Sequence, residues 1–284
     1  MLRVVGVHGI RNYAPGQGTD EAADALAHEW HEYLRAGPLH DRTNDIDMRI
    51  AYYADRLADE PAQSWQPRVE HLAPPVQRLV GEWAADLGVD LGGAQGRLLT
   101  PVRDLIEAVA SLRSLPVERV EAVVTRFFPE VAAYLADSRP EARNQAGARV
   151  IDLIRASHPH VVLAHSLGSV IAYEALQACP QHVPLLITLG SPLAMPTVVY
   201  PRLRPAFDGR AHGRPPGVGC WINISDPGDP IAIPRFGVSA QFAEVDLDIE
   251  HSVHWWSPHA IRHYLGLTSV ATALTVCRTS PTGR

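Results

Sequence analysis

Residues 160–169 read His-Val-Val-Leu-Ala-His-Ser-Leu-Gly-Ser, and no other stretch limits the fold as much. Val161, Val162 and Leu163 are three large aliphatics in a row, the pattern of a short strand buried on both faces of a parallel sheet. From Val170 to Leu176 the apolar residues recur with helical spacing. Strand and helix are therefore joined by a sharp turn with Ser166 at its apex. Such a turn strains the backbone and lifts the serine hydroxyl above the sheet edge. Strand and helix pack closely there, so the neighbours have to be small, and Ala164 and Gly168 are. The five residues alone recur by chance; the flanking strand and helix make the reading specific.

This turn resembles the nucleophile elbow of the α/β-hydrolase superfamily, and within it the lipase- and esterase-like members. Val7-His8-Gly9-Ile10, Gly190-Ser191-Pro192, Asp229-Pro230-Ile231 and the region of His251 carry the rest of the likeness. It covers both ends of the chain but not residues 55–140, and Ala164 stands where the family usually has glycine. The resemblance implies an α/β fold with a mostly parallel central sheet flanked by helices. It also implies a serine hydrolase that cleaves carboxylic esters of apolar or mid-sized acyl groups through an acyl-enzyme. The same triad would serve an acyltransferase or cyclase, or a thioesterase or peptidase. A binding protein on the same scaffold is the reading from a different class, since fold does not fix function.

A chain of 284 residues is long enough for one large α/β domain. We expect a single domain over 1–278, with 55–140 as a helical insertion and 279–284 as a disordered tail. The net charge of −6 is mild and spread along the chain, and all 25 basic residues are arginine. No nucleic-acid footprint or polybasic membrane patch is visible. Cys179, Cys220 and Cys277 are an odd, widely spaced set that fits a reduced cytosolic chain better than a disulfide framework. The 14 histidines are scattered rather than at ligand spacings, so no metal is expected; nor is an organic cofactor. Without a leading signal pattern or a run of 18 apolar residues, the expectation is a cytoplasmic protein with no stable membrane insertion and a small-molecule or acyl substrate.

Taken in order, 2–7 is a strand, so the fold is expected to lack a leading antiparallel hairpin. A helix follows from Thr19 to the stop at Gly37-Pro38, with Asp20 and Glu21 complementing its dipole, and 48–53 is the next strand. Tyr52 and Tyr53 end near the sheet's carboxyl edge, where packing or a pocket wall are both open to them. Within 55–140 the spacing predicts helices over 75–87, 101–112 and 116–135, which either pack on the sheet or cap the serine. Gly88 to Gly96 is a flexible joint, lacking the preceding strand and the lysine of a phosphate loop. Then come a helix over 139–157, strands over 184–189 and 219–224, an irregular excursion over 193–218 bordering the site, and an edge strand over 242–249. Ser257-Pro258 starts a last helix running to about 267.

A serine hydroxyl needs a neutral imidazole to take its proton and a carboxylate to hold that imidazole's tautomer. In the α/β-hydrolase order the acid follows the serine and the histidine comes last. The acid is then Asp229, whose Asp-Pro-Ile resembles the family's D-x-[V/I] turn, with Asp226 as the alternative. The base is His251, whose spacing to Pro258 is similar to the family's H-S-x-x-[W/Y]-x-x-P arrangement. His254, beside Trp255 and Trp256, is the alternative base; His259 is the third histidine of the region, set behind both for falling inside the helix opened by Pro258. Backbone N–H groups of Leu167 and Ile10 would form the oxyanion hole, with Gly9 letting the chain approach. His8 reads as a scaffold group, and Ser191, without an elbow, as part of a pocket-edge loop.

Overall fold

The computed structural model describes residues 1–57, 68–90, 92, 100–206, 212–254 and 257–279. Six strands form one sheet: β1 (Leu2–Val7), β2 (Ile46–Ala51), β3 (Val161–His165), β4 (Val183–Leu189), β6 (Val218–Ser225) and β8 (Leu247–Glu250). Their order is β2-β1-β3-β4-β6-β8, and every pairing is parallel. β3 lies between β1 and β4 and all five of its residues are buried, which accounts for its unbroken apolar run.

Parallel neighbours need crossovers, and these cover both faces of the sheet. On one face Val4, Val161, Leu163, Leu185 and Ile187 pack against Trp30 and Leu34 of α1 (Thr19–Ala36) and Val270 and Leu274 of α10 (Thr268–Thr279). On the other, Val5, Val162, Ala164 and Leu186 share a cluster with residues of five long helices. These are α3 (Pro74–Asp86), α4 (Val102–Arg113), α5 (Val117–Leu135), α6 (Pro140–Ser157) and α7 (Leu167–Ala178). Trp83, Leu105, Ile106, Phe127 and Phe128 thus belong to the same core as the strands. A short α2 (Ala54–Leu57) follows β2.

Two expectations are corrected. The edge strand over 242–249 is two pieces: Glu244 takes a positive φ of 61°, so Phe242–Ala243 (β7) pairs apart with His212–Gly213 (β5) and only Leu247–Glu250 joins the main sheet. The last helix does not begin at Pro258; α9 spans Ile261–Leu265 and α10 follows it. In the described part of 193–218, Leu193 N–H donates to Ser191 Oγ at 3.2 Å, Thr197 Oγ1 bonds to Asp86 Oδ1 at 2.9 Å and Arg202 pairs with Glu82 at 3.0 Å. A short helix α8 (Gly237–Gln241) lies before β7. Most of the Gly88 to Gly96 joint, Trp255, Trp256 and the tail from 280 lie outside the described residues. Among those described, no helix is long and apolar enough to cross a membrane.

Candidate active site

Ser166 stands between β3 and α7 with φ 54° and ψ −132°, a conformation that strains any residue with a side chain. Its N–H donates to the Leu189 carbonyl at 3.0 Å, which ties the turn to β4. A Cβ at Gly168 would lie 2.2 Å from the His8 carbonyl oxygen and 2.4 Å from that of Val7. The first turn of α7 therefore rests on the end of β1, and only glycine fits there.

Asp229 follows β6 in a turn closed by its own N–H to the Asp226 carbonyl at 2.9 Å. Its carboxylate is buried, accepting the Ile231 N–H at 2.9 Å and the Tyr264 hydroxyl at 3.1 Å. Gly190, at φ 53°, keeps the space beside it open, since a Cβ there would meet Asp229 Oδ2 at 3.1 Å. Trp83 Nε1 donates to the Pro230 carbonyl at 2.7 Å, so α3 braces the acid turn from the insertion.

His259 is the histidine that reaches both. Its Nδ1 lies 2.7 Å from Asp229 Oδ2 and its Nε2 2.8 Å from Ser166 Oγ. With Nδ1 protonated toward the carboxylate, Nε2 is left to accept the serine proton. The geometry thus corrects the choice of His251. Pro258 sits in a turn closed by the Ala260 N–H to the Ser257 carbonyl at 3.2 Å, one residue after the start of the turn, a position its fixed φ suits as well as a helix start. His259 is therefore in the turn before α9, free to face the elbow. His251 is exposed and lines a separate apolar cavity of about 880 Å³ along β6, β8 and α10. His254 stacks on His263 with ring centroids 4.0 Å apart. Asp226 meets no imidazole; its carboxylate accepts the backbone N–H groups of Gly228, Val253 and His254.

The loop after β1 lies against the elbow. A Cβ on Gly9 would come within 2.9 Å of Ser166 Cβ and of His165 Nδ1, so its glycine is what lets the Gly9–Ile10 backbone approach the serine. Leu167 opens α7, and its N–H is one of the first-turn donors without an intrahelical partner. His8 is buried and its pKa is lowered to about 4 by burial. It donates from Nδ1 to the Gly9 carbonyl at 2.7 Å, accepts the Tyr53 N–H on Nε2 at 3.2 Å, and stacks on the Tyr53 ring. Tyr52 donates to the Asn12 carbonyl at 2.9 Å, so both tyrosines brace the loop rather than line the cavity. From α5, Glu130 accepts the Arg11 N–H at 2.7 Å; burial raises its pKa to about 7. Ser191 is buried and bonded to Ser169 Oγ at 2.7 Å, with no base beside it.

A cavity of about 370 Å³ opens beside His259, bounded by Ile10, Val123, Phe127, His165 and Ile231 among others. Phe127 of α5 meets the His259 ring edge-on at 6.2 Å. Ser166 itself has no exposed surface. His165, buried and with its pKa held well below the ordinary value by that burial, touches the His259 carbonyl with Nε2 at 2.9 Å. Among the described residues no group of three His, Cys, Asp or Glu side chains is placed to hold a metal ion.

Trp83, Glu130, His165 and Tyr264 carry no signal in a single sequence, because each acts through a contact far along the chain. His259 did carry one: it is a histidine beyond the last strand, in a Ser-Pro-His run that suits a turn. Comparison of the chain with known protein families, with curated proteins and with solved structures finds no match.

Proposed function

We propose that the chain is a serine hydrolase that cleaves a carboxylic ester. The observation that carries this reading is the continuous path from Ser166 Oγ through the His259 ring to Asp229 Oδ2, at 2.8 and 2.7 Å. A lone serine does not attack an ester at neutral pH; one whose proton has an acceptor in hydrogen-bond reach does. Ser166 Oγ adds to the ester carbonyl while His259 Nε2 takes its proton. Asp229 holds Nδ1–H in place and offsets the imidazolium charge.

The oxyanion is received by the backbone N–H groups of Leu167 and Ile10, in the roles that the α/β-hydrolase resemblance gives them. His259 then returns its proton to the departing alcohol, leaving Ser166 acylated. A water, deprotonated by the same imidazole, releases the acid and restores the serine. The apolar walls from Ile10 and Ile231 suit an acyl group of modest size. α5 acts as a cap in this reading, excluding water from the reacting carbonyl.

The test is hydrolysis of 4-nitrophenyl esters of increasing acyl length by the wild type and by His259→Ala. The reading expects turnover with an optimum at short or middle lengths, lost in the variant. A wild-type rate no higher than that of the variant at every length would end it.

A further inference from the structure

The cavity beside His259 has a charge opposite to that of the chain. The protein carries a net charge of −6, yet Arg11, Arg119, Arg126 and Arg262 line this cavity, and no Asp or Glu does so among the described residues. Arg119, Val123, Arg126 and Phe127 fall at helical spacings of four, seven and eight, so one face of α5 presents two guanidinium groups beside its apolar wall. Arg11 joins them from the loop after β1, one residue beyond Ile10. Burial, and after it the nearby Arg11 charge, lowers the Arg126 pKa.

Two like charges facing one cavity repel unless an anion lies between them. Glu130 is the acid that reaches Arg11, accepting its backbone N–H and feeling its guanidinium charge, but burial holds the Glu130 pKa up at about 7 and its side chain does not line the cavity. None of the ion pairs within 4 Å among the described residues involves Arg11 or Arg126. Their placement also gives a direction. Phe127, next to Arg126, packs on His259, and His259 has to protonate the departing alcohol oxygen. The alcohol part of an ester therefore lies on the arginine side.

We propose that the Ser166 site takes esters whose alcohol part carries an oxyanion, a carboxylate or a phosphate, held between Arg11 and Arg126. This rests on the hydrolase reading above and narrows its substrate class. Ile10 and Ile231 receive the acyl chain and the guanidinium pair receives the charge. Hydrolysis then consumes one water and yields the free acid and an anionic alcohol.

The experiment uses three butanoate esters, of 3-hydroxybenzoate, of its neutral isostere 3-hydroxybenzamide and of 3-hydroxyphenyl phosphate. The carboxylate ester is expected to exceed the amide in kcat/KM by about tenfold or more, and the advantage should shrink as salt screens the charges. A phosphate ester better still identifies phosphate as the oxyanion held; a poorer one identifies carboxylate. Arg11→Gln and Arg126→Gln should each bring the anionic-to-neutral ratio toward one, through KM more than kcat. An amide ester cleaved as fast as both anionic ones, or a ratio that survives both substitutions, overturns the proposal while leaving the hydrolase reading intact. No cleavage of any ester above the Ser166→Ala rate removes that reading, and this one with it.

Discussion

The carbonyl oxygen of His259 lies 2.9 Å from Nε2 of His165, so the residue before Ser166 holds the backbone of His259. Burial keeps His165 neutral, which leaves a single ring proton, and the His259 carbonyl can only accept it. The Ser166 turn and His259 are thereby fixed to each other by a bond besides the one between their side chains. His165→Leu removes that bond and should lower kcat on a neutral ester by about 10–100-fold, the scale of a small misplacement of a catalytic group. His165→Asn, which retains a side-chain N–H donor, should recover part of the loss. Steady-state kinetics of the two variants check this, and equal rates for both would argue against positioning.

His259 and His251 separate cleanly. His259→Ala should reduce kcat by about 10⁴-fold or more, as removal of a triad base does. His251→Ala should stay within about twofold of wild type, because His251 is exposed and faces a different cavity. Parallel ester assays decide it.

Gly168→Ala tests the close packing of α7 on β1. The added methyl would lie 2.2 Å from a backbone oxygen, which no rotamer change relieves. We expect a loss of roughly 1–3 kcal/mol or more in unfolding free energy, the cost of overpacking, together with lost activity as the His8–Ile10 loop moves. Thermal unfolding and ester turnover measure the two effects.

Glu130 makes stability depend on pH. Its pKa rises from 4.5 to about 7 on folding because burial disfavours the carboxylate. The unfolded chain therefore releases this proton first, and the contribution to stability present below pH 4.5 is lost as pH rises through 7. Glu130→Gln keeps an oxygen for the Arg11 N–H but cannot ionise. It should match the wild type near pH 4 and exceed it by roughly 1–3 kcal/mol at pH 8. Urea unfolding at the two values checks the sign.

The parts of this molecule that were legible in its sequence are those set by local pattern. The change from an unbroken apolar run to helical spacing around Ser166 marked β3, the turn and α7. Gly168 and Asp229 were legible because a close approach and a tight turn each demand a particular residue. The helices of 55–140 follow their apolar spacing, and each begins within two residues of a proline. The base was misplaced because Pro258 suits both a helix start and the second position of a turn, and its φ is the same in both. Tertiary context chose the turn. The strand over 242–249 failed for a related reason: alternation continues across Glu244, but the chain there turns left-handed. The last helix read to about 267 is two: α9 ends at Gly266, and α10 starts again at Thr268. Contacts such as Trp83 on the Pro230 carbonyl belong to the assembled core alone.

Covalent labelling by a fluorophosphonate reads the central claim directly, since only a serine activated by a neighbouring base reacts at a useful rate. The account predicts a single phosphonyl adduct, mapped to Ser166 by peptide mass, absent in Ser166→Ala and strongly slowed in His259→Ala. An unlabelled wild type, or an adduct elsewhere that persists in Ser166→Ala, would contradict it.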